Sequence, residues 1–142
     1  MQDKELLKNV KENIENEPYA KLFGIKVLFL EPGHSRVTME VSADYSNIFG
    51  ITHGGAVFSL MDVAFGSAAN SYGTVAVALN VSINYIKPAK AGDILTAEAQ
   101  EITRSNKVAS FFIKAQNQSG EIMATAQSVA YLKNEKLPFL SN

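Results

Sequence analysis

The chain has 142 residues, which suits one domain, and its 46% hydrophobic and 19% charged residues are typical of a globular protein. Thirteen basic and fourteen acidic residues give a net charge of −1, so no basic excess indicates a nucleic-acid or membrane partner. The absence of cysteine excludes disulfides, thiolate metal sites and cysteine nucleophiles. With only two histidines, no metal site is expected.

The N-terminus, with its charged residues, lacks the apolar core of a signal peptide. No apolar run reaches the roughly 18 residues that a membrane span needs. We therefore expect a soluble, cytoplasmic protein with a single domain over residues 1–142.

The first forty residues predict a helical strap followed by a hairpin. A narrow apolar stripe on a charged segment predicts a helix over residues 3–15 that lies on a larger body. Pro18 opens a short helical turn that Gly24 ends. An apolar run over 25–30 and an alternating run over 35–41, joined by a Pro-Gly turn, predict two antiparallel strands.

Residues 42–52 have no period and are read as a loop, and residues 54–71 predict a helix that is apolar on nearly every side. Such a helix is expected to be buried on nearly every side, with Asp62 as its only charge. Four strand-like runs follow, and the short turns between them favour an antiparallel meander. These runs cover residues 74–86, 93–103, 108–117 and 121–132. The polar tail from Lys133 is read as coil, and the whole pattern predicts an α+β fold.

Three features converge on the buried helix. His53, Gly54 and Gly55 stand at its N-terminus, where free N–H groups and the helix dipole favour a developing negative charge, as in an oxyanion hole. Asp62 is either a capped structural carboxylate or a general base or nucleophile. Asn47 and His53 flank the preceding loop, and each is either a turn or helix-end contact or a donor to a substrate carbonyl.

The spacing between Gly54 and Asp62 limits how they can work together. The two residues are eight positions apart, so they lie roughly 12 Å from each other along one helix. The group that polarises a carbonyl and the group that attacks it must both lie within about 3 Å of that same carbonyl group. If both residues are catalytic, the sequence predicts an obligate homodimer in which two antiparallel helices complete two sites.

Two motifs resemble those of the hotdog-fold thioesterases of the PaaI-like group. The first combines Asn47, Gly50 and Thr52 with the His53-Gly54-Gly55 run, Leu60 and Asp62, and it is fairly specific. The second, which is weaker, reads Tyr85-x-Lys87-Pro88-Ala89-x2-Gly92-Asp93. Together they keep the family's order, and the strand-helix-strand plan covers nearly the whole chain.

The resemblance implies an antiparallel sheet wrapped around the long central helix, dimers that often pair into homotetramers, and hydrolysis of acyl-CoA without a cofactor. It implies that Asp62 is the catalytic carboxylate, that the Gly54 N–H polarises the carbonyl, and that Asn47 and His53 assist. Members of the group often carry Ser or Thr early in the next strand. Ala78 stands there in this chain, and Thr74 or Asn80 are possible substitutes.

Substrate-binding candidates follow from the chemistry of CoA. Its phosphates need cations, and the turn residues available for them are Lys87, Lys90, Arg104 and Lys107. Its acyl group needs an apolar pocket, to which Phe49, Val57, Phe58 and Met61 are candidate contributors, although core packing explains the same side chains. Gly55, at the N-terminus of the helix, is a further substrate-binding candidate.

Two other activities fit the same residues. His53 with Asp62 would serve a hotdog dehydratase of 3-hydroxyacyl chains, and Ala78 favours a non-catalytic acyl-CoA-binding protein. The sequence leaves the acyl group open.

Overall fold

The computed structural model of the protein describes residues 2–140. Three α-helices precede or interrupt a six-stranded sheet: α1 (Gln2–Asn16), α2 (Pro18–Leu22) and α3 (Gly54–Asn70). The strands are β1 (Lys26–Glu31), β2 (His34–Glu40), β3 (Thr74–Tyr85), β4 (Ile94–Arg104), β5 (Val108–Gln116) and β6 (Ile122–Lys136). Short 3-10 turns cover Ala43–Tyr45 and Pro138–Leu140.

The sheet is antiparallel throughout and wraps around α3. Its strand order is β1-β2-β4-β5-β6-β3, so β1 and β3 form its two edges. This is the α+β hotdog arrangement that the resemblance implies, and the predicted β1–β2 hairpin and central helix are confirmed. Within the described residues, no helix is long and apolar enough to cross a membrane.

Small side chains let the sheet come close to the helix. The inner faces of β4, β5 and β6 are rich in alanine, and every one of these alanines is buried. They are Ala97, Ala99, Ala109, Ala115, Ala124, Ala126 and Ala130. Helix α3 also contributes small buried side chains, namely Ala56, Ala64 and Ala68. Larger side chains fill the remaining space, and the rings of Phe65 and Phe111 meet edge-on. Burial of α3 on nearly every side is thus confirmed, with Asp62 as an exposed exception.

Helix α1 lies across β1 and α3, in agreement with the predicted helical strap. Val10 is buried in this contact, and the Glu15 carboxylate accepts a hydrogen bond of 2.7 Å from the Val27 N–H at the start of the hairpin. The Tyr19 hydroxyl of α2 lies 2.8 Å from the Ser59 Oγ of α3. Side-chain bonds therefore fix both N-terminal helices against the body that carries the site.

Two predictions about the second half of the chain are wrong. The four-strand meander holds only for β4, β5 and β6, because β3 pairs with β6 instead of β4 and lies at the edge. The tail from Lys133 is not coil, because β6 continues to Lys136, which pairs with Thr74 at the start of β3. Both differences come from pairing between distant segments.

Candidate active site

The N-terminus of α3 has one occupied and one free backbone donor. His53 is the N-cap residue, and its Nδ1 accepts a hydrogen bond of 2.8 Å from the Gly55 N–H. Within the described part of the chain, the Gly54 N–H has no intramolecular acceptor. Gly54 therefore presents the donor that can reach a ligand, where the helix dipole favours negative charge. Since Nδ1 acts as an acceptor, the exposed His53 ring carries its proton on Nε2.

The loop before the helix is shaped by Asn47. Its Oδ1 accepts hydrogen bonds from the Phe49 and Ile51 N–H groups at 2.9 and 3.3 Å, so the residue organises the turn. Its Nδ2 has no acceptor among the residues that the structure describes. Asn47 and Gly54 line one cavity, and both also line a neighbouring surface hollow together with His53 and Phe49.

Tyr85 covers Gly54 from the end of β3. Its hydroxyl donates to the Gly54 carbonyl oxygen at 3.2 Å, and a Cβ on Gly54 would meet the ring carbons at 3.1 Å. Only glycine fits this contact without displacement of the ring. Tyr85 was part of the sequence motif, yet its role as a wall of the site was not predicted. Its position three residues before Pro88, in a strand that ends beside α3, was the available signal.

Asp62 lies two turns further along α3 and opens into a different cavity. This cavity has a volume of about 310 Å³ and lies between α1, α3 and the 3-10 turn near the C-terminus. The side chain is exposed at its mouth, but the surrounding protein still desolvates the carboxylate and raises the pKa of Asp62 above its ordinary value. A carboxylate with a raised pKa binds a proton more readily, which is the property of a general base.

Gly54 and Asp62 therefore share a helix but not a cavity. Gly54 lines a cavity of about 270 Å³ with Tyr85, Lys87 and Val57, whereas Asp62 lines the cavity beside α1. The regular helix between them keeps the two roughly 12 Å apart. In one chain, these residues cannot act on the same carbonyl group.

The four predicted cations fall into two groups. Lys87 lines the Gly54 cavity and forms an ion pair with Glu121, and Lys90 is exposed in the following turn. Arg104 lies at the opposite end of β4, roughly 33 Å from the end nearest Lys90. There it stacks on Tyr72 and pairs with Glu101, and Lys107 is in the adjoining turn. Within one chain, the structure does not bring the two groups together.

The predicted acyl-pocket residues are also dispersed. Phe49 is 78% exposed in the loop, and Met61 is 2% exposed within the hydrophobic core, where it lines neither the Gly54 cavity nor the Asp62 cavity. Phe58 is half-buried and also lines neither of them, whereas Val57 lines the Gly54 cavity. The cavity beside Asp62 is formed by residues of α1, α2, α3 and the C-terminal turn, and sequence reasoning had proposed only Asp62 among them.

Comparison with known proteins agrees with this architecture. The thioesterase superfamily model matches residues 49–124. Acyl-coenzyme A thioesterase PaaI of Escherichia coli is 39% identical over 110 residues, which cover 78% of this chain and 79% of that protein. Its solved structure has a TM-score of 0.88 at 34% identity and covers 92% of this chain and 95% of that chain.

A structure from Streptococcus mutans, described as bound to acetyl CoA, also matches. Its TM-score is 0.76 at 30% identity, and the match covers 80% of this chain and 91% of that chain. The family model spans more than half of the residues and includes the start of α3 and Asp62. The chain therefore belongs to the thioesterase superfamily and is a thioester hydrolase with the hotdog fold.

Proposed function

We propose that this protein hydrolyses acyl-CoA thioesters at a site built from two chains, with the Gly54 N–H of one chain and Asp62 of the other. The observation that carries the proposal is that these two groups lie on one helix and open into separate cavities. The description of the E. coli relative as an acyl-coenzyme A thioesterase supports the substrate class. The acetyl CoA bound to the S. mutans relative supports it as well.

The Gly54 end would stabilise the oxyanion that forms when the thioester carbonyl is attacked. A backbone N–H at a helix N-terminus is already oriented and costs no reorganisation during the reaction. His53 Nε2 and Asn47 Nδ2 line the same hollow, and both are donors that can assist the carbonyl or orient the substrate. The Gly55 N–H supports the site indirectly, because its bond to His53 Nδ1 holds the imidazole ring.

The Asp62 end would supply the attacking group. As a general base, the carboxylate takes a proton from water while the water oxygen attacks the carbonyl carbon, and the CoA thiolate leaves. As a nucleophile, it forms an anhydride with the acyl group that water then hydrolyses. The raised pKa of Asp62, caused by partial desolvation, makes its carboxylate more reactive in either route.

The second chain would join at β3. This strand is the edge of the sheet, its outer side has no partner strand in the described chain, and Val77 and Leu79 are 41% and 60% exposed. A long edge strand with apolar side chains readily pairs with a copy of itself. Such a dimer runs antiparallel and brings the two α3 helices into opposite orientation. We expect these dimers to pair into tetramers, as the resemblance implies.

Lys87 is the best-placed cation for the CoA phosphates, because it lines the Gly54 cavity. Lys90 is two residues beyond Pro88 and extends the same positive edge. Arg104 and Lys107 would contribute only from a second chain, because they lie at the far end of their own.

Replacement of Asp62 by asparagine tests the proposal. Asp62→Asn keeps the shape of the side chain and removes its basicity, so kcat should fall at least about a hundredfold while KM changes little. The measurement is thiol release over a panel of acyl-CoA substrates, with Asp44→Asn in an exposed turn as the matched control. Full activity in Asp62→Asn would remove Asp62 from the mechanism.

A further inference from the structure

The cavity beside Asp62 contains a second carboxylate, Glu17. Both acids line the same 310 Å³ cavity, together with Tyr19 as its third titratable side chain. No Lys, Arg or His lines the cavity among the described residues. A negatively charged group that entered it would therefore meet two carboxylates and no counter-charge.

Glu17 is held in this position by the helices around it. It is the residue before Pro18, at the N-terminus of α2. The bond between the Tyr19 hydroxyl and Ser59 Oγ attaches α2 to α3 three residues before Asp62. The bond from Val27 N–H to Glu15 ties the end of α1 to the hairpin. These bonds hold the backbone at Glu17 on both sides, and its exposed side chain extends along the wall of the cavity.

The walls of the cavity suit an acyl group. Apolar side chains from three elements face it, namely Val10, Ile14, Val63, Leu137 and Phe139. Its volume is at the small end of the roughly 300–1,000 Å³ range of ligand pockets. If Asp62 attacks the carbonyl or activates the water that does, the carbonyl carbon stands at the mouth of this cavity. The acyl chain then extends inward past Asp62 toward Glu17.

We propose that Glu17 is a specificity-determining residue that makes this enzyme select neutral acyl groups and reject acyl groups that end in a carboxylate. The inference rests on the proposed function, because it places the acyl group in the Asp62 cavity. Like charges a few Å apart in a partly desolvated cavity repel strongly. Although Glu17 is exposed, the surrounding protein partly desolvates its carboxyl, and this, with the charge of Asp62 second, raises the pKa of Glu17. The second effect is expected when two acids share a cavity.

The test compares substrates of equal shape and different charge. Glutaryl-CoA and 5-methylhexanoyl-CoA differ only in having two carboxylate oxygens or two methyl groups at the chain end, and succinyl-CoA and 4-methylpentanoyl-CoA form the same pair one carbon shorter. The wild-type enzyme should favour the neutral member of each pair in kcat/KM. Glu17→Gln should reduce that preference roughly fivefold to tenfold. Any effect of the variant on Asp62 itself acts on both members and cancels in the ratio.

The control is Glu12→Gln, which removes an exposed carboxylate of α1 that does not line the cavity, and it should leave the preference unchanged. Glu17→Lys provides a second test, because a cation in the same place should shift the preference toward glutaryl-CoA beyond the effect of glutamine. An unchanged ratio in both Glu17 variants, with neutral thioesters still hydrolysed, would overturn the role of Glu17 and leave the proposed function intact. Failure of the wild-type enzyme to release CoA from any acyl-CoA would overturn the proposed function and this inference together.

Discussion

At the scale of the single residue, the Asp62 carboxylate is proposed to serve the reaction but lowers the stability of the folded chain. Burial raises the pKa of its carboxyl, so the folded chain binds this proton more tightly than the unfolded chain does. Between the ordinary pKa and the raised folded value, stability therefore decreases as pH rises. Above that window the folded state carries the full cost of a partly desolvated charge.

We therefore predict that Asp62→Asn, although inactive, unfolds at a higher temperature than the wild type at neutral pH. The gain should diminish as pH falls through the raised pKa of Asp62, because the wild-type carboxyl is then neutral as well. Thermal unfolding followed by circular dichroism at several pH values measures this. The exposed control Asp44→Asn should show no such pH-dependent gain, and an equal or lower unfolding temperature for Asp62→Asn at neutral pH would contradict the prediction.

Sequence reasoning proposed Asp62, Gly54, Asn47 and His53 because each is a polar or glycine residue in a segment whose pattern makes it unusual. It missed Glu17, which stands among several other charges in the N-terminal region. Nothing in local sequence indicates that α2 lies against α3, since that contact depends on the Tyr19–Ser59 bond across 40 residues. The part of the site that depends on tertiary packing was therefore beyond the reach of the pattern.

Asn70 connects two elements at the C-terminal end of α3. Its Nδ2 donates to the Gly66 and Ala76 carbonyl oxygens at 2.8 and 3.2 Å, and its Oδ1 accepts from the Ala76 N–H at 2.9 Å. The side chain thus mimics a strand partner for the start of β3 and fixes the point where the chain leaves the helix. The consequence is that the register of β3 is tied to the end of α3.

Replacement of Asn70 by alanine should lower the free energy of unfolding by about 1–3 kcal/mol, because backbone groups of Ala76 lose their partner in a half-buried place. Asn16→Ala is the matched control, since it also loses a bond to a backbone carbonyl but at an exposed helix end. That variant should change stability by less than about 0.5 kcal/mol. Urea unfolding compares the two, and equal losses would show that Asn70 has no special role.

Helices and strands were predicted well where local patterns decide them. Helix α3 was expected over residues 54–71 and occupies Gly54–Asn70, and each strand begins within one residue of its predicted start. The end of β6 was missed because its last four residues, 133–136, are all polar. In the structure, Asn134 also has a positive φ of 60°. The strand extends over these residues because Lys136 pairs with Thr74 at the start of β3. The place of β3 at the edge of the sheet could not be predicted either, because it depends on pairing with the distant strand β6.

At the scale of the whole molecule, the proposed two-chain site makes a quantitative prediction. Asp62→Asn should be nearly inactive alone, and Gly54→Ala should be strongly impaired, because its new Cβ crowds the approach of a ligand to the N–H and lies 3.1 Å from the Tyr85 ring. Co-expressed in equal amounts, the two variants would form mixed dimers in half of the cases. Each mixed dimer contains one intact site and one site with both defects, so about a quarter of the wild-type activity should return.

The measurement is thiol release by the co-expressed pair, with two differently tagged copies of Asp62→Asn as the control that must stay inactive. Recovery of activity only in the heterologous pair supports a shared site. If Gly54→Ala is impaired and the mixture is no more active than its components, the division of the site between chains is wrong.

The proposed placement of two half-sites on one helix has a consequence for how such a protein can evolve. Each copy of the gene encodes both halves. In a dimer of identical chains, the four halves combine into two equivalent sites. After a gene duplication, one copy would be free to lose its acidic half while the other lost its glycine half. The resulting pair would work only together, with one surviving cavity for chemistry and a second cavity released to acquire a different ligand.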